Sequence, residues 1–496
     1  MASKVRISML AMAAWLAGAA APPSETPPFA RTAWLEDYAA LKAGMEDGYA
    51  NLAWFGSPEG GVDLPALDRR TTKALEQADS DEEARLALGN FIASFHDGHL
   101  SQLPFLTAPL ATPSAEPPKR DLAHVDAGEG CAALGYADRS QAAFSLPFES
   151  LPGFVMHADG VGSAVRAGIV AVGGRRIGIV RLKNFSRQQY PSACLRAWPA
   201  SDAKTRNDPE AFEKRVTRFW FEALAAQLRR FEAEGVAAVL VDVGANSGGD
   251  ESADWAARLF TARPVVSARL LMAAAKPATD YFDEQIAALK AAPGAQAGAG
   301  AAAFEARKPL VATRHCDMAW VWRERRPWGR SECSRLLDAG WASGAFNYLA
   351  PGSVGDPRVA ALLYWPAQVE RWRGSWRGAT YLLTGATSYS AAEMFAAVMK
   401  DNGVARTIGT RTGGDGCGFM AEAEPLVLPH SRLRYRMPNC IRLRRDGTDE
   451  VAGIAPDLLV LPTQGESTRA RAMRVLTTLV GDLEAPRART GRPVLP

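Results

Sequence analysis

The stretch TSYSAAE at 387–393 sets Ser390 three residues ahead of Glu393 and just before the apolar run MFAAVM. Serine followed by glutamate at that spacing is the pattern of a capping box that starts a helix. The same position suits a nucleophile, because the N–H groups and dipole of a helix N-terminus stabilise developing negative charge. Acyl transfer by serine also requires a base, a group that orients the base, and donors aimed at the oxyanion. The chain has a candidate for each: His99 in FHDGHL, Glu450 in DEVAGIAPD, and the glycine turn NSGGD (246–250), whose N–H groups could meet that of Ala391. Each has a plainer reading as well. Ser390 can be only a cap, His99 a satisfied loop histidine with His96 competing for any role, and Glu450 a surface carboxylate. His96 and His99 form H-x-x-H, but no carboxylate-rich partner motif accompanies them, so no metal is expected.

These residues need elements to hold them. VAAVLVDV (236–243) is a continuous apolar run, the mark of a strand buried on both faces, and it leads through GANSGGD into the helical stretch ESADWAARLF. The order recurs as ATYLLTG, TSYS and AAEMFAAVMKDNG, with Gly403 stopping the helix and VARTIGT following as a strand. Repeated strand, polar turn and helix predict an α/β core with chemistry at the carboxyl ends of its strands. Upstream, Trp34, Tyr38, Leu41, Met45, Tyr49 and Leu52 recur at helical spacing, and a second capping box, Ser80 to Glu83, opens another helix. VTRFWFEALAAQLRRFEAEG fits a helix ending at Gly235, while GFVMHA, AGIVAVG and RIGIVRL read as strands.

The resulting division is a signal peptide at 1–21, a helical domain at 22–100 ending in the His99 loop, and a lid and β-rich connecting segment at 101–185. The α/β core occupies 186–270 and 360–465, interrupted by an insertion at 271–359, and a C-terminal helix and tail fill 466–496. The Ala/Gly stretch at 290–303 reads as flexible. Trp320, Trp322, Trp328, Trp341, Trp365, Trp372 and Trp376 cluster beyond it and either pack a core or wall a substrate cleft.

With 496 residues, 47% apolar and 22% charged, the composition is that of a globular protein. A net charge of +3 argues for neither nucleic acid nor an acidic partner, and RLRR (442–445) and RARAMR (469–474) read as solvated faces. Lys4 and Arg6 precede a short apolar run ending in small residues, a secretory signal peptide too short to span a membrane, with cleavage expected after about Ala19 to Ala21. Secretion turns the six cysteines, none in a C-x-x-C pair, toward disulfides. The preferred pairs are Cys316–Cys333, Cys417–Cys440 and Cys131–Cys194, with reduced core thiols as the alternative.

Four blocks in order, FHDGHL, VLVDVGANSGGD, YLLTGATSYSAAEMFAAVMKDNGVARTIGTRTGG and EVAGIAPD, resemble the C-terminal processing (tail-specific) serine peptidase family. The first and last look more like its tricorn-core and retinoid-binding-protein-like branch. The resemblance implies a crotonase-like fold and a secreted, periplasmic serine peptidase that takes peptides or unfolded proteins and needs no cofactor. It makes Ser390 the nucleophile over Ser388, His99 the base, Glu450 the orienting carboxylate, and Gly248 or Gly249 with Ala391 the oxyanion donors. Asp415, in GGDGCG, occupies the place of the lysine that the bacterial tail-specific branch pairs with its serine, and Lys400 lies at the far end of the helix. The base is then His99 or the site is inactive. No PDZ-like G-L-G-F loop occurs between 101 and 185, so capture of free C-termini is not implied. The alternatives are a non-catalytic binding protein on the same fold and an esterase-type hydrolase.

Overall fold

The computed structural model describes residues 29–104, 121–136, 144–314, 316–325 and 335–485. The signal peptide and its Pro-rich linker, most of the lid, Trp328 and Cys333 lie outside the described residues.

A seven-stranded mixed sheet organises the molecule. Its strands are β1 (Val155–Asp159), β2 (Arg166–Val172), β3 (Arg175–Arg181), β4 (Ala238–Asp242), β5 (Ala379–Thr384), β6 (Arg406–Gly409) and β7 (Leu458–Leu459), and they lie side by side in chain order. The first three are antiparallel, and β3 through β7 are parallel. Every residue of β4 is buried, because helices cover both faces. The helices Pro209–Ala233 and Ala391–Asp401 pack one face through Trp220, Phe221, Leu224 and Phe395. The C-terminal helix Thr468–Glu484 covers the other through Val475, Leu476 and Leu479.

Helices Arg31–Gly48, Leu64–Gln77 and Asp81–Ala93 form where the apolar spacing places them, and Ser80 caps the last by accepting from the Glu83 N–H at 3.2 Å. Their shared core is completed from elsewhere by Trp322, Leu428, Tyr435 and Val451.

Two expectations are corrected. The Ala/Gly segment is ordered as the helix Ala295–Glu305, which pairs with the helix Lys276–Ala291. Alanine has the highest helix propensity, and the missing side chain at Gly300 admits Leu363, whose Cδ2 would lie 2.4 Å from an added Cβ. RLRR is not a solvated face. Arg442 is buried in the strand Cys440–Leu443, which pairs antiparallel with Arg269–Ala273, and Arg444 is paired with Asp401.

Disulfides Cys131–Cys194 and Cys417–Cys440 form as expected. No helix among the described residues is long and apolar enough to cross a membrane.

Candidate active site

Strands β4 and β5 are parallel neighbours, so the turns leaving their carboxyl ends emerge side by side. Side chains of the second turn join it to the first: Ser388 Oγ donates to the Val243 carbonyl (2.6 Å) and Thr387 Oγ1 to the Gly244 carbonyl (3.0 Å), and Tyr389 N–H donates to the Asn246 carbonyl (3.0 Å). Ser388 is fully buried and also accepts from Gly385 N–H, so its role is to hold the turn.

Ser390 differs from its neighbour. Its backbone sits at φ +55°, ψ −117°, whereas the helix-capping serines Ser80 (φ −148°, ψ 158°) and Ser467 (φ −71°, ψ 151°) are extended. A non-glycine residue in that region costs roughly 1–3 kcal/mol and persists only where its surroundings impose it. The capping pattern is present, with Glu393 reaching back to the Ser390 N–H at 3.1 Å and the Glu393 N–H bonded to the Ser390 carbonyl at 2.9 Å. Capping alone does not call for the strained backbone.

The glycine turn packs directly against it. At Gly248 (φ +108°) an added Cβ would lie 2.7 Å from Ser390 Cβ and 3.1 Å from the Ala391 nitrogen. Gly248 N–H is already given to Asn246 Oδ1 at 2.8 Å. Gly249 N–H and Ala391 N–H have no hydrogen bond among the described residues, so of the two glycines it is Gly249 that keeps a donor to offer.

Glu393 does more than cap. Its buried carboxylate accepts from Thr412 Oγ1 (2.7 Å) and the N–H groups of Gly414 (2.7 Å), Asp415 (2.8 Å), Gly416 (2.9 Å) and Ser390. Burial pushes this carboxyl upward, and those donors pull it back. One side chain thereby fixes the 412–416 turn beside Ser390.

His99 meets the far side of that turn. Its Nδ1 lies 3.3 Å from the Asp415 carbonyl and 3.9 Å from Asp97 Oδ1. A carbonyl only accepts, so this contact puts the proton on Nδ1 and leaves the lone pair on Nε2, the tautomer a general base needs. Asp415 Oδ1 takes the Gly98 N–H at 2.9 Å, which ties down the histidine loop. Asp97 is buried and held by Tyr49 Oη (2.8 Å), Asn51 Nδ2 (3.1 Å) and the His99 N–H (2.9 Å). Burial raises its carboxyl, with those donors and His99 opposing.

A match to the model of peptidase family S41 covers residues 176–460, more than half of the chain, including Ser390 and Glu450. The chain belongs to peptidase family S41. It is therefore a serine-type peptidase, a hydrolase. Mature CPAF is similar to it in fold, at 16% identity and TM-score 0.53 over 91% of this chain and 98% of that one. CPAF complexed with lactacystin gives TM-score 0.54, also at 16% identity, over 91% and 99%. The photosystem II D1 C-terminal processing protease aligns over 89% of this chain and 99% of its own at 12% identity, with a TM-score of 0.32. No curated protein matches.

In this S41 peptidase Glu450 does not bond to the imidazole, nor does His99 to Ser390. Glu450 is fully buried against Arg442, whose Nε donates to its Oε2 at 2.6 Å and whose Nη2 donates to the carbonyls of Gly416 (3.0 Å) and Ser390 (3.3 Å). Burial pushes the Glu450 carboxyl up to about 7, Arg442 acting against it. Its Oε1 is buried without a hydrogen-bond partner. Arg442, Asp97 and the wider role of Glu393 escaped the sequence reading. Asp97 was legible as the acid beside His99 in FHDGHL, but an arginine inside RLRR carried no signal of burial.

Lys400 donates to the Ala455 carbonyl at 2.7 Å and pairs with Asp457 at 2.9 Å, engaged at the far end of its helix. His96 is exposed. Asp97, His99 and Asp415 offer ligand atoms within 4.8 Å of one another, the one such set among the described residues. The carboxylates of that set already serve donors of the site itself.

Proposed function

We infer that this peptidase cleaves peptide bonds through an acyl-enzyme on Ser390. His99 Nε2 takes the hydroxyl proton as Oγ adds to the scissile carbonyl carbon, and the tetrahedral oxyanion is met by the N–H groups of Gly249 and Ala391. The imidazolium returns the proton to the leaving amine, and water then releases the acyl group by the same steps. Asp97 and the Asp415 carbonyl hold the ring at rest. Glu450 is the carboxylate that stabilises the imidazolium, through the Oε1 left without a partner, once substrate draws the site together; catalytic hydrogen bonds are commonly long before substrate binds.

The observation that carries this reading is the strained Ser390 backbone pressed against the Gly248–Gly249 turn, with two N–H groups open beside it. Substrates are peptides or unfolded proteins. Strand-turn-helix units with both turns at the carboxyl ends of adjacent parallel strands support a crotonase-like core, and two disulfides with the leader sequence support a periplasmic location.

Ser390→Ala should abolish peptide turnover and leave the circular dichroism spectrum unchanged, and a fluorophosphonate should label the wild type but not the variant. Retained turnover in the variant would falsify the assignment.

A further inference from the structure

A cavity among the described residues lies away from Ser390. It has a volume of about 740 Å³, in the range of small-molecule sites, and none of its lining residues belongs to the catalytic machinery. Helix Pro209–Ala233, helix Ser252–Ala256 and the segment 349–372 enclose it. Its aromatic wall is built from Phe221, Trp255 and Trp372, whose rings are near-parallel at 24° and 20° with centroids 6.2 Å apart in each pair. Two features are unusual for a space that merely failed to fill.

Charge is the first. Four cations line the cavity: Lys214 is paired with Glu210 at 2.5 Å and Arg358 with Asp356 at 2.9 Å, but Arg218 and Arg371 make no ion pair among the described residues. The lining carboxylate, Glu370, is held by Arg373 at 2.5 and 2.8 Å and is not available to them. Glu222 acts on Arg371 only at a distance, while burial and the neighbouring charge of Arg218 hold the Arg371 guanidinium below its ordinary value. Both arginines are exposed, so an anion that reaches the two guanidiniums sits at the solvent side of the space and gains from both. The second is the stacking of Arg371 on Trp372, Cζ 4.3 Å from the ring centroid, which brings the charge onto the apolar wall.

We propose that this cavity is a binding site for a small anionic amphiphile, a carboxylate on an apolar chain such as a medium-chain fatty acid, with the head group between Arg218 and Arg371 and the chain against Phe221, Trp255 and Trp372. The site is separate from the peptidase reading, and replacing Ser390 leaves it unaltered.

Dodecanoate titrated into the full-length protein below its micellar concentration, followed by calorimetry and tryptophan fluorescence, should bind saturably at one site and change the emission. Dodecanol, with the same chain and no charge, should bind more weakly. The double variant Arg218→Gln, Arg371→Gln should weaken dodecanoate about tenfold or more while its peptide turnover stays at the wild-type value. Trp255→Phe should remove part of the fluorescence change and keep the fold. Absence of saturable binding, equal affinity for dodecanol, or an unaltered affinity in the double variant would each overturn the proposal.

Discussion

Ser390 and Glu450 illustrate how residue type and environment divide the work. A serine at the head of a helix is ordinarily extended and caps; Ser390 sits at positive φ against Gly248, where a side chain would collide with it, while a side chain on Gly249 would strike the Phe185–Ser186 backbone instead. Glu450 reads as an ordinary surface carboxylate in sequence and is instead fully buried, with burial raising its carboxyl from 4.5 to about 7. The fold therefore binds this proton more tightly than the unfolded chain does. Its contribution to stability is whole below about pH 4.5, shrinks as pH rises and is gone above about 7. The melting temperature of the wild type relative to Glu450→Gln, which cannot ionise, should fall between pH 4.5 and 7 and then level off. A difference that is flat across that window would show that Glu450 does not titrate there.

The 412–418 turn is the element on which the site depends. Glu393 binds it from the Ser390 side and Asp415, the residue in place of the dyad lysine, binds the histidine loop from the other. Asp415→Ala removes the acceptor for Gly98 N–H and frees the loop. It should lower kcat by about 100-fold with KM little changed, since a shift of about 1 Å in a catalytic group has that effect. Asp415→Asn keeps an acceptor oxygen and should recover most of the rate. Equal losses in both variants would mean that the charge, not the hydrogen bond, matters.

Across the whole molecule the site is assembled from segments some 300 residues apart, and covalent links fall at two different distances from it. Cys417–Cys440 joins the catalytic turn to the strand bearing Arg442 across 23 residues, while Cys131–Cys194 spans 63 residues near the helix Pro191–Ala197. Opening the shorter loop with paired serines should cost about 3 kcal/mol and reduce kcat, whereas opening the longer one should cost about 4 kcal/mol and leave kcat intact. Urea unfolding read beside peptide turnover separates the two effects. Loss of rate from both pairs alike would deny the turn its special place. The tryptophans sort at this scale as well: Trp322 closes the core over the N-terminal helices, Trp376 packs the sheet face, and Trp372 lines the cavity remote from Ser390.

Local pattern was enough for the elements near Ser390. Buried-strand runs, glycine stops and the S-x-x-E spacing are properties of neighbouring residues, and β4, β5 and the helix Ala391–Asp401 follow from them. The same pattern misjudged the Ala/Gly segment, since composition does not say whether a partner such as Leu363 lies where Gly300 can receive it. The pairing of Arg442 with Glu450, the five donors converging on Glu393, and the contact of His99 with Asp415 depend on which strands become neighbours. That choice is made by burial over the entire chain, which no short window of sequence contains.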